Sequence, residues 1–387
     1  MGLSTKLRTP ARVTPQPSMP YLSAPMTALT QLRTSFTLGS IALQNRAVMA
    51  PMTRSRAIGN VPSELMAEYY GQRAGAGLII TEGTAPSPNG LGYARIPGLF
   101  DAAQVEGWRK VTAAVHDRGG KIFVQLMHVG RIGHPLNLPE GAELVGPSPE
   151  AAAGEMFTDE KGPQPHPAPR EMTAADIDAA IAEYTKSAQL GIEAGFDGVE
   201  LHGANGYLIE QFLNPLVNKR EDEWGGSSEG RNRFAIAVGK SVAKAIGSDR
   251  VGIRLSPHGV FNGTGPFEGL DEQYAALAKA LGEIGLVYVH LVDHSAMGAP
   301  AVPDETKEAI RSAFGGAFIL SGGYDAEKAE ADLAANKGDL VAFGRPFLAN
   351  PDLLERYEAD ADLNEANHGT FYTPGPEGYT DYPTLGG

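Results

Sequence analysis

Cysteine is absent from all 387 positions of the chain. That excludes disulfides, thiolate nucleophiles, cysteine-held zinc and iron–sulfur clusters together. Positive charge is scarce, with 32 Lys and Arg against 46 Asp and Glu and a net charge of −14, so no basic stripe is available for a nucleic-acid partner. No apolar run approaches the roughly 18 residues needed to span a bilayer, so no membrane partner is expected. Metal is not expected either: His128 and His134 have neither an HExxH spacing nor a carboxylate partner. No acidic residue precedes Glu64, and residues 1–28 are rich in Pro, Ser, Thr, Lys and Arg without periodicity. Residues 1–30 read as a flexible extension and 31–387 as one domain. The extension shares its acid-poor composition with transit peptides but lacks their amphipathic helix, and the expected protein is soluble and cytoplasmic.

What is present is glycine, 48 residues of it, with 42% hydrophobic residues, enough for a large core with many tight turns. Apolar, β-rich runs recur at 45–51, 77–83, 121–128, 195–203, 250–257, 286–293, 317–323 and 339–346. Helix-like stretches lie between them at 63–74, 103–117, 173–194, 229–246, 271–284, 304–314 and 326–335. Eight alternating units predict an α/β fold, the (β/α)8 or TIM barrel. Segment 130–170, after the third strand, is Pro-rich and too long for a structureless connection, and a capping insertion over the barrel mouth is expected there.

Two-residue alternation assigns the faces of several strands. Ile122, Val124 and Leu126 go outward, leaving Phe123, Gln125 and Met127 inward. Val199 and Leu201 go outward, leaving Glu200 and His202 inward. Val251, Ile253 and Leu255 go outward, which turns Arg254 into the barrel. An inward arginine is costly unless it meets a carboxylate, a cofactor or a polarised carbonyl. Glu200 is one carboxylate that could pair with it. His202, Asn205 and Tyr207 crowd the carboxyl end of the fourth strand, the layout of a site that grips a carbonyl. His290, inward on the sixth strand, reads as a hydrogen-bonded core residue.

Barrel enzymes build their sites at the carboxyl ends of the strands and often hold a phosphate between the loops after the seventh and eighth. Here those loops supply Gly322, Gly323, Gly344 and Arg345, backbone that can approach an anion and a bidentate fork. A phosphorylated ligand follows. A Schiff-base phosphosugar lyase would need a lysine at a strand's carboxyl end, and none of the eight ends carries one.

At this point the chain resembles the Old Yellow Enzyme family of flavin-dependent ene-reductases. The blocks that carry the resemblance are NRAVMAPMTRSRA (45–57), YYGQRAGAGLIITEGT (69–84), GKIFVQLMHVGR (120–131), DGVELHGANGYLIEQFLNP (197–215), GIRLSP (252–257), VAFGRPFLANPDL (341–353) and GYTDYP (378–383). The resemblance implies tightly but non-covalently bound FMN, held by Pro51, Met52, Thr53, Gly83 and Gln125, with Arg254 at its pyrimidine end and Gly322, Gly323, Gly344 and Arg345 around its phosphate. It implies NADPH or NADH as reductant and activated alkenes as substrates. His202 and Asn205 would hydrogen-bond the substrate carbonyl, and Tyr207 would give the α-carbon proton. Tyr93, Met127 and Tyr372 would line the substrate pocket. Met127 stands where many relatives have tryptophan, which removes a bulky wall. The oligomeric state, monomer or dimer, is left open.

Overall fold

Residues 29–386 are described in a computed structural model. Eight parallel strands close into a barrel: β1 (Ala47–Met49), β2 (Leu78–Ile80), β3 (Ile122–Leu126), β4 (Gly198–Gly203), β5 (Val251–Leu255), β6 (Tyr288–Val292), β7 (Ala317–Ser321) and β8 (Leu340–Phe343). β8 pairs back to β1 through Val341 with Ala47 and Phe343 with Met49. Around them run α1 (Glu64–Gln72), α2 (Ala102–His116), α3 (Ala174–Glu193), α4 (Ser228–Ile246), α5 (Leu270–Ile284), α6 (Asp304–Phe314), α7 (Ala326–Ala334) and α8 (Leu353–Glu358). Each of the eight strand-like runs contains its barrel strand. Among the described residues no helix is long and apolar enough to cross a membrane.

Alternation sorts the side chains into two layers. Ile122, Val124, Leu126, Val199, Leu201, Val251, Ile253 and Leu255 face outward and pack with Trp108, Tyr184, Phe234 and Tyr274 of the helices. Phe123, Tyr288, Val48, Leu78, Ile80, Ile319 and Leu340 fill the barrel floor. A hairpin of Phe36–Leu38 and Ile41–Leu43, absent from the sequence reading, closes that end with Leu38 and Leu43. Its turn requires glycine: Gly39 has φ +58, and a Cβ there would lie 2.6 Å from the Asp249 carbonyl oxygen. Above the apolar floor the interior turns polar, with Gln125, Glu200, His202, Arg254 and His290 all buried. That polar layer is what an apolar-filled barrel would not need.

Segment 130–170 contains a hairpin, Glu155–Thr158 with Gly162–Pro165, and a parallel pairing of Val145–Gly146 with Arg170–Glu171. Its Ala152 and Met156 bury against a cluster that includes Met127 and Tyr207, so it packs on the Tyr207 side of the barrel mouth. The reading of residues 1–30 as a flexible extension falls outside the described residues except at Leu29 and Thr30. Leu29 is buried, and Thr30 Oγ1 donates to Glu330 at 3.1 Å.

Three buried arginines tie the C-terminal segment to the start of the barrel. Arg54 donates to the carbonyls of Phe371 and Gly378, and Arg56 to those of Thr370, Phe371, Gly375 and Glu377. Arg73 donates to the carbonyls of Phe347, Leu348 and Tyr379. Arg54 lies over the rings of Tyr69 and Tyr379, which stack at 3.9 Å. Beside them Glu82 is fully buried, accepting from the Tyr70 hydroxyl and the Arg54 amide at 3.3 Å each.

Burial pushes the Glu82 carboxyl up to about 7, against hydrogen bonds that favour the charge. A carboxyl raised on folding holds extra protons in the folded state between its unfolded and folded values. Its stabilising contribution is complete below the unfolded value and is lost as pH rises through about 7. Removing the titration with Glu82→Gln is therefore expected to gain on the order of 3 kcal/mol relative to the parent between pH 5 and pH 8. Urea unfolding of both proteins at the two pH values checks this; a parent-to-variant difference that does not move with pH would mean that Glu82 titrates as an ordinary carboxyl.

Candidate active site

A cavity of about 660 Å³ opens at the carboxyl ends of the barrel strands. Its lining includes Pro51, Met52, Thr53, Tyr93, Asn205, Tyr207, Arg254, Gly322, Gly323, Gly344, Arg345 and Tyr372. Twelve of the sixteen residues expected from the sequence thus meet around one space. The other four, Gly83, Gln125, Met127 and His202, are outside that lining. Gly83 faces Met127 instead, and a Cβ on Gly83 would lie 2.4 Å from the Met127 sulfur. Met127 is 2% exposed in the cluster that carries Tyr207, so it shapes the pocket from behind.

Local backbone explains how the end of β4 presents its side chains. After Gly203 the chain turns through Asn205 at φ +59 and Gly206 at φ +76, both left-handed, and then enters the short helix Leu208–Leu213. A Cβ at Gly206 would lie 2.6 Å from that of Asn262 and 2.8 Å from the Phe261 carbonyl oxygen, so only glycine completes the turn. Tyr207, at the N-cap of the short helix, places its hydroxyl 2.9 Å from that of Tyr93. The His202 ring lies 5.0 Å from the Tyr207 ring.

Several buried polar atoms gathered here have no protein partner: His202 Nδ1, Asn205 Oδ1, Arg254 Nε, His290 Nε2 and His294 Nδ1. Native interiors leave few such atoms unpaired, so a group of them marks a place where a ligand completes the bonding. Arg254 is the extreme case. It is 7% exposed, and among the described residues its guanidinium makes no hydrogen bond or ion pair.

Glu200 does not pair with Arg254, contrary to the expectation from their shared inward face. Its carboxylate is occupied by the Gln125 amide at 2.7 Å, the Tyr288 hydroxyl at 3.0 Å and His290 Nδ1 at 2.8 Å. Three donors from β3 and β6 reach it where the arginine does not. His290 is accordingly a core residue held on one nitrogen, as its inward position suggested, with the other unpaired.

The electrostatics follow from depth. Burial holds His202 well below the usual imidazole range, with Arg254, His290 and His294 adding to the effect, so its ring is neutral at physiological pH. Burial raises the Tyr207 hydroxyl above the ordinary tyrosine value, more than the Tyr93 hydrogen bond and Arg254 lower it. Tyr207 therefore carries its proton at neutral pH. Burial likewise takes His294 down to about 4.

Glycine is required where the seventh strand ends. Gly322 has φ +137 and a Cβ there would lie 2.1 Å from the Asp293 carbonyl oxygen, while Gly323 has φ +63 and would press on Ala296 at 2.5 Å. The sequence reading missed Phe261, Asn262, Asp293, His294, Met297 and Phe371, which also line the cavity. They lie on the loops after β5 and β6 and on the C-terminal segment, where no periodicity points to them; the available signal was position just past a barrel strand.

Comparison with known proteins agrees with this arrangement. Residues 31–364 match the model of the NADH:flavin oxidoreductase / NADH oxidase family. The chain is 40% identical over 362 residues to 12-oxophytodienoate reductase 7 of Oryza sativa subsp. japonica, covering 89% of this chain and 92% of that one. Among solved structures it superimposes on morphinone reductase in complex with tetrahydroNAD with a TM-score of 0.87 and 43% identity, covering 92% of this chain and 97% of that one. The old yellow enzyme homologue from Zymomonas mobilis gives a TM-score of 0.88 at 39% identity, covering 92% of this chain and all, 100%, of that one.

Proposed function

The chain belongs to the NADH:flavin oxidoreductase / NADH oxidase family, and from that premise we propose that it is an ene-reductase that carries reducing equivalents from NADPH or NADH to the C=C bond of an enal, enone, maleimide or nitroalkene. FMN held non-covalently in the cavity would supply the two-electron chemistry that links the nicotinamide to the alkene. The observation that carries this reading is the buried, unpartnered guanidinium of Arg254 facing a cavity that Gly322, Gly323, Gly344 and Arg345 also line.

The residues fit such a cofactor. Arg254 offers a charged donor fork to an electron-rich ring edge, while Gln125, its amide on Glu200, stands behind the lining. Gly322, Gly323, Gly344 and Arg345 offer backbone and a guanidinium to a phosphate. Pro51, Met52 and Thr53 follow β1, and the Thr53 hydroxyl can hydrogen-bond a ring carbonyl. Gly83 acts by admitting Met127 beside this wall.

His202 and Asn205 serve the substrate. A neutral imidazole has one N–H to donate, and the Asn205 amide supplies another, so a carbonyl or nitro oxygen placed between them is polarised and its developing charge stabilised. Such donors are typically worth about 2.7 to 4 kcal/mol each when aimed at an oxyanion. Tyr207 holds a proton that it can deliver to the α carbon, with Tyr93 orienting its hydroxyl. Tyr372, 61% exposed, stands at the rim and sets what can enter.

An anaerobic absorbance titration tests the whole reading. The purified protein is expected to be yellow, to bleach with NADPH and to recover its colour with 2-cyclohexenone. A protein that cannot be loaded with FMN would overturn the cofactor assignment, and a bleached protein that ignores the enone would overturn the substrate class.

A further inference from the structure

We infer that Glu210 is a positioning residue for the proposed reaction, one that holds Asn205 in its left-handed turn so that the amide side chain is free for the substrate oxygen. Glu210 lies on the short helix Leu208–Leu213, is 1% exposed, and does not line the cavity. Its carboxylate collects three donors. Oε2 accepts from the Gly206 amide at 2.5 Å, and Oε1 accepts from the Ser256 hydroxyl at 2.7 Å and the Tyr274 hydroxyl at 3.3 Å. The Ser256 oxygen in turn accepts from the Asn205 amide at 2.9 Å. One carboxylate therefore secures both amides of the Asn205–Gly206 turn, one directly and one through Ser256.

The remaining backbone group of the turn is secured as well. Asn262 Nδ2 donates to the Asn205 carbonyl at 2.7 Å. With both ends of its peptide tied, Asn205 has only its side chain uncommitted, and Asn205 Oδ1 is buried without a partner. A left-handed turn at a non-glycine residue persists only where the surroundings over-determine it. A buried carboxylate is itself unfavourable unless its acceptor sites are filled, and here the turn's amides are among the groups that fill them. The Gly206 amide can only donate, and the Ser256 hydroxyl, which accepts from the Asn205 amide, gives its own hydrogen, so an acceptor is called for at both carboxyl oxygens. Glutamine would bring an NH2 group against at least one of those donors.

The inference rests on the proposed oxyanion role of Asn205, and a double-mutant cycle on the FMN-loaded enzyme tests it. The probe is p-chlorophenol, whose phenolate oxygen presents the charge that His202 and Asn205 would accept; its binding is read from the absorbance of the bound cofactor. Glu210→Gln is expected to weaken binding on the order of tenfold, and Ser256→Ala, which removes only the relay to the Asn205 amide, is expected to act in the same direction. In an Asn205→Ala background the Glu210→Gln effect should nearly vanish, because the group through which it acts is gone. A Glu210→Gln effect that persists in that background would make Glu210 a general structural residue and overturn the inference, as would unchanged affinity in Glu210→Gln and Ser256→Ala. If Glu210→Gln does not fold, the Ser256→Ala and Asn205→Ala cycle decides by the same criterion. A parent enzyme that binds FMN but shows no response to the phenol would instead overturn the oxyanion role itself, and the positioning role with it.

Discussion

Tyr207→Phe is expected to slow alkene reduction by a factor on the order of 10² to 10⁴, the usual worth of a positioned general acid, while the step driven by NADPH stays near its parental rate. The asymmetry comes from what the substitution removes. Phenylalanine keeps the ring that packs 5.0 Å from His202 and within the cluster of Met127, Val129 and Met156. It loses only the hydroxyl and the 2.9 Å bond to Tyr93. Hydride uptake from a nicotinamide needs no proton from this position, whereas completing the saturated product needs one at the α carbon. Since burial raises the Tyr207 value, the acid form is fully populated at neutral pH and no alkaline limb from Tyr207 is expected between pH 6 and 8. Single-turnover measurements of the two halves of the cycle check this. Equal losses in both would place Tyr207 in ligand binding and leave the proton donor to be sought elsewhere.

The residues behind that prediction differ in how legible they were from sequence. The eight barrel strands were readable because each is an apolar run between helix-like stretches, and several of them alternate with a period of two. The same alternation placed Glu200, His202 and Arg254 inside, and the structure keeps them there. It could not choose their partners. Glu200 and Arg254 share the interior, yet Glu200 is taken up by Gln125, Tyr288 and His290, donors on strands far apart in the sequence. The hairpin at residues 36–43 escaped because its strands are three residues each, too short to display a period. Arg54 and Arg56 carried no sequence signal, because the carbonyl they both hold, that of Phe371, arrives 317 and 315 residues later. Glu210 carried no signal for the same reason: its purpose depends on Ser256 and Tyr274, which only the closed barrel brings to it.

Arg254 is where the cofactor assignment is most exposed to refutation. Arg254→Met is expected to raise the dissociation constant for FMN at least on the order of a hundredfold, because hydrogen bonds to a charged donor contribute about 1.5 to 3 kcal/mol each and the guanidinium has more than one to give. Its cost inside the protein argues the same way. Burial lowers the Arg254 value, and the carboxyl groups that oppose this, Glu200 and Glu210, act through space with no ion pair formed. An arginine stays charged without help, yet here no carboxyl group takes its N–H groups. That arrangement has a purpose only if something else takes those hydrogens. Arg254→Lys separates the two contributions: lysine restores the charge facing Glu200 and Glu210 but not the planar fork, so it should recover part of the affinity and not all of it. Titrating FMN into the apo-protein and following quenching of flavin fluorescence gives the three constants directly. If parent, Met and Lys forms bind FMN alike, the unpartnered guanidinium serves another ligand. If Lys matches the parent and Met does not, charge alone holds the ring edge and the fork geometry is incidental.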